Sequence, residues 1–329
     1  MSPYRPRGQA SDFAVCRDGE SVSLKLAGSI VAIGNFDGVH RGHRTLIERA
    51  MDLAAAGRPN AVLTFEPHPR QFFAPDKPVI RLTPEPVKLA ILAKLGLDGA
   101  FVRRFDRAFA STTAAEFVGD LLKRQLGISG VVVGHDFHFG RGREGTPAVL
   151  ASLCGEHGLT CDVVAPVAHD GEPISSSAIR TALEEGDIAR ANALLGFRWF
   201  VDGEVRHGDK RGRTLGYPTA NLSLDSCGLR HGIYAVRIAM ADGTLRDAVA
   251  SFGRRPTFDN GAPLLEVHVF DFSGDLYGRR VQVEFVAWIR GEERFESAEA
   301  LVARMEDDAR QARELLARAG AADLETMIG

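Results

Sequence analysis

The chain has 329 residues, about twice the usual size of a single domain, so we expect two domains. Lys and Arg number 40 against 43 Asp and Glu, and the net charge of −3 excludes an overall basic field that would attract nucleic acid or an anionic membrane. No apolar run approaches the roughly 20 residues of a membrane-spanning helix, and no secretory signal is recognisable. We therefore expect a cytoplasmic protein that acts on small molecules; the oligomeric state stays open.

The first part of the chain, to about residue 195, alternates β-branched runs with helical patterns. Strands are predicted over 29–33, 61–65, 100–105, 130–133 and 160–165. Helices are predicted over 42–56, 84–95, 113–126 and 147–157. This alternation is typical of a doubly wound α/β fold, in which helices cover a parallel sheet. Helices at 176–185 and 188–195 would lead to the next domain, and we place the boundary between residues 1–190 and 191–329.

The pattern changes after Gly196 to short strands separated by glycine-containing turns. Asp242-Gly243, between two strand-like runs, is a strong signal for a β-hairpin. A β-sandwich or a small antiparallel β-barrel fits this half best. A last helix, predicted over 297–319, carries apolar residues along one side and would pack on the sheet.

The first predicted strand runs into the segment GNFDGVHRGH and then into a helix. Its glycines let the backbone approach a ligand, and a helix N-terminus attracts phosphate. His40 and His43 share a helix face and can donate to one anion, which in nucleotidyl transfer stabilises the charge that develops in the transition state. Two ordinary surface histidines are the alternative. The nucleotide-binding residues predicted in this turn are Gly34, Asn35, Phe36 and Gly42.

Two later segments could complete the same site. In ISSSAIR, Ser176 and Ser177 at a helix start and Arg180 one turn later could hold nucleotide phosphates, although alone they favour a helix cap and a solvated arginine. The loop at residues 132–146 is rich in Gly and Arg and follows a strand, and ligands bind at strand ends in such sheets. We expect Asp136 of this loop to contact the ligand.

Together these motifs resemble the H-x-G-H nucleotidylyltransferase superfamily, and more closely the adenylyltransferase module of bacterial bifunctional riboflavin kinase/FAD synthetases. FEPHPRQFF (65–73) and G-x-D-F-x-F-G (134–140) are also similar to motifs of that family, so the resemblance covers most of residues 28–185. It implies that ATP binds at the glycine-spaced turn, where the phosphate of FMN attacks the α-phosphorus and pyrophosphate leaves. The two histidines would then be catalytic. His138 and Thr146 stand where the family more often carries Arg and Asp.

The second half holds a cationic, glycine-rich loop, HGDKRGRTLGYPTANL, that can wrap ATP phosphates through its backbone N–H groups. The phosphate-binding residues predicted in this loop are Gly208, Arg213 and Gly216. Thr219 and Asn221 lie two apart in an extended segment and put two oxygens on one side, which suits Mg²⁺ but is also ordinary for a strand. In LLEVHVFDF, Glu266 shares a face with His268 and is either a solvated carboxylate or a general base.

This half resembles the riboflavin kinase barrel in its G-x-V-x-H-G, PTAN, GIYAV, RRPTF and LLEVHVFDF motifs, from about residue 198 to the terminal helix. The resemblance implies that Thr219 and Asn221 hold the Mg²⁺ of MgATP and that Glu266 takes the proton of the attacking hydroxyl of riboflavin. Ser251 stands where the family often has Asn.

We therefore expect a bifunctional enzyme of flavin cofactor synthesis. Its C-terminal domain would phosphorylate riboflavin to FMN, and its N-terminal domain would convert FMN to FAD. Mg²⁺ would be the cofactor, ATP the co-substrate, and FMN and FAD product and substrate. One alternative is a nucleotidylyltransferase for another phosphorylated substrate, with a barrel that only binds. The other is a non-catalytic, flavin-responsive regulator.

Overall fold

The protein divides into two compact units, Met1–Ile174 and Ser175–Gly329, each with its own main sheet. The computed structural model describes residues 12–54, 57–77, 79–207, 217–224, 228–240, 243–254 and 263–319. Three predicted site residues, Gly208, Arg213 and Gly216, lie outside the described residues, as does Asp242. The predicted fold class is confirmed, because the first unit holds a parallel sheet with helices and the second an antiparallel, nearly closed barrel.

The first unit is built on a six-stranded sheet in which every neighbouring pair of strands is parallel. Its strands are β1 (Ala14–Arg17), β2 (Ile30–Ile33), β3 (Asn60–Glu66), β4 (Gly99–Arg104), β5 (Gly130–Gly134) and β6 (Thr160–Val164). They lie in the order β1-β4-β3-β2-β5-β6. All four residues of β2 are buried, as expected of a central strand covered on both faces.

The order of the strands reverses between β2 and β5. From β2 the chain builds the sheet outward through β3 and β4, whereas β5 starts on the other side of β2 and continues to β6. In such sheets ligands bind beyond the carboxyl ends of the strands at the point of reversal. Gly34 directly follows β2 and Gly134 ends β5, so the two glycine-containing loops singled out in the sequence both start at this point.

Helices pack on both faces of this sheet. They are α1 (Arg41–Ala54), α2 (Pro69–Phe73), α3 (Glu85–Lys94), α4 (Arg107–Ala110), α5 (Ala114–Glu116) and α6 (Pro147–Glu156). An α-helix was predicted over 113–126, and this was wrong for most of the segment. Only α5 is α-helical, and it continues as a π-helix, Phe117–Gln125. There the N–H of Leu126 donates to the carbonyl of Leu121 at 2.9 Å, and the wider turn packs Phe117 and Leu122 into the core. A short hairpin of β7 (Ala168–His169) and β8 (Glu172–Pro173) follows β6.

The second unit begins with α7 (Ser176–Glu185) and α8 (Ile188–Leu195) and continues as a six-stranded antiparallel sheet. Its strands are β9 (Phe200–Glu204), β10 (Ala220–Ser223), β11 (Gly232–Ala239), β12 (Leu245–Arg254), β13 (Pro263–Val269) and β14 (Arg280–Arg290). Their order is β10-β13-β12-β11-β14-β9. The N–H of Arg206 donates to the carbonyl of Asn221 at 2.8 Å and draws the two outer strands together, so the sheet nearly closes. The predicted hairpin is confirmed, since Ala239 pairs with Leu245.

The last helix, α9 (Ala298–Arg318), covers one face of this barrel. Its Ala312 and Leu316 form a buried cluster with Ala235 of β11 and with Phe270. The Asn192 amide of α8 donates to the carbonyl of Phe285 at 3.1 Å and accepts from the N–H of Trp199 at 2.8 Å, which ties this helix to the barrel. Among the helices of the described ranges, none combines the length and the apolar composition that a membrane crossing requires.

Candidate functional site

The turn after β2 contains two residues in a strained backbone conformation. Phe36 has a φ of 49° and Val39 a φ of 40°, both in the left-handed region that side chains disfavour. Residues held in such conformations cost about 1–3 kcal/mol each and persist only where the surroundings over-determine them. Both side chains are fully buried, so they anchor the turn to the protein core. This fixes the backbone of Gly34, Asn35 and Gly38 at the point of strand reversal, where a ligand is expected.

The two histidines predicted to be catalytic lie together at the start of α1. The backbone N–H of His43 donates to Nδ1 of His40 at 3.2 Å, and the two imidazole rings stack with centroids 3.6 Å apart and planes 13° apart. Because Nδ1 of His40 accepts a hydrogen bond, the proton of its neutral imidazole lies on Nε2. A side chain at Gly42 would stand 3.3 Å from the His40 ring, so the glycine leaves room for this stacking.

His43 is neutral at physiological pH. Burial chiefly, with the electrostatic influence of the neighbouring His40 and Lys88 side chains, holds the pKa of the His43 imidazole well below its usual value near 6.5. Its ring also contacts the ring of Phe36, with centroids 5.1 Å apart. Nδ1 of His43 is buried and has no hydrogen-bond partner in the described part of the chain. A buried, unpaired polar atom costs free energy, and such atoms are found where a ligand is recognised.

A buried network of charges under this turn was missed in the sequence. Lys88 of α3 is fully buried, and its ammonium donates to Glu66 at the end of β3 at 2.7 Å. Arg81 donates to both carboxylate oxygens of Glu66, at 2.7 and 2.9 Å. Although burial alone would raise it, the pKa of Glu66 is lowered to about 2 by these two cations. The available signal was that Lys88 stands on the same helical stripe as Ile91 and Leu92, which are both buried.

The loop after β5 carries Asp136, which is exposed and whose carbonyl lies 2.9 Å from Nδ1 of His138. The rings of Phe137 and Phe139 stack with centroids 5.5 Å apart and anchor the loop to the core. Thr146 caps α6, because its hydroxyl accepts from the N–H of Val149 at 3.3 Å. This gives Thr146 a structural role that the sequence left open.

Ser176, Ser177 and Arg180 lie in the first turns of α7, in the second unit. The helix cap is the preceding residue, Ser175, whose hydroxyl accepts from the N–H of Ala178 at 3.1 Å. The two following serines are thus not needed to cap the helix. Their predicted contact with the nucleotide held by the histidines stays a prediction.

In the barrel, strand register brings three candidate residues side by side. Glu266 of β13 is directly opposite Asn221 of β10 and, on its other side, directly opposite Ser251 of β12. Side chains at opposed positions lie on one face about 4.5–5.5 Å apart. The predicted alternation along β13 is confirmed, because Leu265 and Val267 are buried while Glu266 is partly exposed. The sequence could not predict this register, since it joins segments far apart in the chain.

The oxygen of Asn221 fits a role in holding a cation. The side chain is 5 % exposed, and its amide nitrogen donates to the carbonyl of Thr219 at 3.4 Å. Its Oδ1 is buried and without a hydrogen-bond partner in the regions that the structure describes. Mg²⁺ prefers such hard oxygens and takes few of them from the protein. Asn221 therefore suits the predicted metal site, and the part of Thr219 in that site stays a prediction.

A histidine on the same face of β13 fixes this segment. Nδ1 of His268 lies 3.0 Å from the carbonyl of Pro218, and since a carbonyl only accepts, the imidazole carries a proton on Nδ1 and donates it. The His268 ring also packs on Tyr217, with centroids 4.9 Å apart. His268 thus ties the end of the glycine-rich loop and the start of β10 to the strand that carries Glu266.

Comparison with known proteins yields matches over both units. Residues 23–178 match the family model described as FAD synthetase, and residues 195–316 match the one described as riboflavin kinase. The bifunctional riboflavin kinase/FMN adenylyltransferase of Escherichia coli (strain K12) is 42% identical over 292 residues, which cover 87% of this chain and 92% of that protein. The protein of that name from Bacillus subtilis (strain 168) is 37% identical over 299 residues, 88% of this chain and 93% of its own.

A solved structure with a different name has the same fold. The crystal structure described as a macrolide-efflux protein from Streptococcus pneumoniae superposes with a TM-score of 0.81 at 30% identity, covering 91% of this chain and 98% of that one. The two chains thus share a fold over most of their length.

Proposed function

This chain belongs to the family of bifunctional riboflavin kinases/FMN adenylyltransferases, and from that premise we propose which residues carry each of its two reactions. The enzyme phosphorylates riboflavin to FMN with ATP and then adenylylates FMN to FAD, releasing pyrophosphate. The match of residues 195–316 to the riboflavin kinase model favours a catalytic barrel over one that only binds. The functional boundary at residues 190 and 191 stays a prediction, and so does a cytoplasmic location.

Adenylyl transfer is assigned to the turn after β2. The chemistry joins a phosphate oxygen of FMN to the α-phosphorus of ATP and breaks the bond to the β-phosphate, so negative charge grows on the α-phosphate oxygens and on pyrophosphate. His40 would donate from Nε2 to these oxygens, with the stacked, neutral His43 beside it. Preorganised donors of this kind are the main source of rate enhancement in such transfers. The stacked pair at the point of strand reversal is the observation that carries the proposal.

The other predicted residues would position the nucleotide. The backbone of Gly34, Asn35, Phe36 and Gly42 would approach its phosphates, and Asp136 would contact it from the loop after β5. Ser176, Ser177 and Arg180 would hold the departing pyrophosphate, since hydroxyls and a guanidinium at a helix start suit that charge.

Phosphorylation of riboflavin is assigned to the face of the barrel formed by β10 and β13. Glu266 would take the proton of the 5′-hydroxyl as that oxygen attacks the γ-phosphorus of ATP and ADP leaves. Thr219 and Asn221 would hold Mg²⁺, which when bound neutralises phosphate charge; the unpaired Oδ1 of Asn221 supports this assignment. Gly208, Arg213 and Gly216 would cover the phosphates.

Chromatographic identification of products tests the whole scheme. Purified protein incubated with riboflavin, ATP and Mg²⁺ should yield first FMN and then FAD. The same protein given FMN and ATP should yield FAD and pyrophosphate without any kinase step. Failure to form either flavin product would contradict the assigned function.

A further inference from the structure

Lys88 is buried among oxygens at the base of the adenylyltransferase turn. Its side chain is fully buried. Its ammonium donates to the carbonyl of Asn35 at 3.3 Å, to the hydroxyl of Thr64 at 2.9 Å and to the carboxylate of Glu66 at 2.7 Å. Burying an ammonium costs several kcal/mol even when it is paired, so such a group contributes little net stability. The burial of Lys88 therefore points to a role other than stability.

The charge network around Glu66 also contacts the second half of the turn, at Asp37 and Gly38. The carboxylate of Asp37 accepts from the backbone N–H of Thr83 at 3.1 Å and lies 3.6 Å from Nε of Arg81. The hydroxyl of Thr83 accepts from the backbone N–H of Gly38 at 2.8 Å. Since Arg81 and Lys88 both bind Glu66, the two ends of the turn are joined through one carboxylate.

These contacts flank the two strained residues of the turn. Phe36 lies between Asn35 and Asp37, and Val39 directly precedes His40; both have a positive φ. A strained segment relaxes unless its neighbours are held. The Asn35 carbonyl also accepts from the Thr64 hydroxyl at 3.0 Å, and Lys88 donates to that hydroxyl, so the ammonium holds the carbonyl both directly and through Thr64. Loss of the ammonium would weaken both contacts, let the turn relax and move His40, and with it the stacked His43.

We propose that Lys88 is a positioning residue for adenylyl transfer: by holding the Asn35 carbonyl it keeps the strained turn, and so His40 and His43, aligned with the reacting phosphate. The inference rests on the proposed function of the turn. Lys88 is buried beneath the turn and acts through the backbone that it holds. Misplacement of catalytic groups by about 1 Å can cost 10²-fold in rate, so the expected defect lies in kcat.

The test uses the full chain and two lysines of the same helix. Lys88→Met removes the buried ammonium, and Lys94→Met removes an exposed one from the last turn of α3. With FMN and ATP as substrates, we expect Lys88→Met to lower kcat about 10²-fold while the KM for ATP changes less than about threefold. Riboflavin phosphorylation by the same protein should stay within about twofold. Lys94→Met should leave both activities unchanged.

A second variant separates positioning from stability. Lys88→Met leaves Glu66 with one cation fewer, whereas Glu66→Gln combined with Lys88→Met removes both charges and should melt closer to the wild type. If Lys88 positions the turn, the double variant regains thermal stability but stays about 10²-fold slow. Recovery of wild-type kcat along with stability would overturn the inference, as would a folded Lys88→Met variant with kcat within threefold of wild type. A wild-type protein that makes no FAD would instead contradict the proposed function.

Discussion

The backbone N–H of His43 donates to Nδ1 of His40, and the two rings stack 3.6 Å apart. The first turn of α1 thus fixes the tautomer of His40 through its own backbone. A doubly protonated His40 would have to give up this bond, because both of its nitrogens would then be donors. The arrangement favours a neutral His40 that donates from Nε2 alone.

Replacing His43 should separate the two activities. His43→Ala keeps the backbone N–H that bonds His40 but removes the imidazole that stacks on it and that faces the same site, so FAD formation from FMN should fall about 10²–10³-fold in kcat. Riboflavin phosphorylation should stay near normal, because its residues lie in the other unit. Assays of both reactions on one preparation provide the check. Equal loss of both activities would contradict separate sites.

Glu266→Gln should have the opposite effect. Loss of the base should slow riboflavin phosphorylation by about 10²–10⁴-fold, while FAD formation from supplied FMN continues. The glutamine keeps the size of the side chain and its place opposite Asn221. A kinase rate that does not change would remove the assignment of Glu266 as the base.

Asn221→Leu should raise the requirement of the kinase for Mg²⁺. The substitution removes the unpaired Oδ1 but keeps a side chain of similar size on β10. Titration of kinase activity with Mg²⁺ at fixed ATP should show half-saturation at a higher concentration than in the wild type. FAD formation serves as the internal control. An unchanged titration curve would exclude Asn221 as a ligand.

His268 offers a matched pair of variants. His268→Asn can keep a donor toward the carbonyl of Pro218, whereas His268→Leu removes it. Since this bond holds the segment that contains Thr219, we expect the leucine variant to lose about tenfold or more in kinase kcat and the asparagine variant to lose much less. If both variants behave alike, the hydrogen bond does not position the segment.

The stability of the first unit should depend on the ionisation of Glu66. Its pKa in the folded protein is about 2, below the usual 4.5, so the folded state favours the charged form. The stabilisation is present above pH 4.5 and is lost as the pH falls toward 2, and the shift corresponds to about 3 kcal/mol at most. Denaturant unfolding at pH 6 and at pH 3.5 should show a smaller advantage of the wild type over Glu66→Gln at the lower pH. An advantage that is the same at both pH values would contradict the ionised carboxylate.

Periodicity explains which parts of the fold could be predicted. The central strands are buried on both faces and give continuous apolar runs, so β2, β3 and β5 were found within one residue or so of their ends. The two edge strands differ: β6 was predicted because three of its five residues are β-branched, whereas β1 was missed because its four residues AVCR include a single β-branched one. A strand of four residues with no such run leaves little pattern in a sequence.

In the candidate site, too, local features could be predicted from the sequence and long-range contacts could not. The spacing of His40 and His43 is local and predicted their common helix face. Lys88 and Glu66 are 22 positions apart and meet only because α3 packs beside the end of β3. Their pairing, like the register of Asn221 with Glu266, depends on tertiary structure that a single sequence does not encode in any short pattern.

The amide of Asn192 has a practical consequence for dissecting the enzyme. It is bonded to the backbone at Trp199 and Phe285, so α8 is part of the barrel's own hydrogen bonding. A recombinant fragment starting after this helix would lose both of these hydrogen bonds and the buried side chains of Leu194 and Leu195, which α8 packs into the unit. A truncated version meant to retain riboflavin kinase activity should therefore keep α8, and a start at Ser175 would keep the whole second unit.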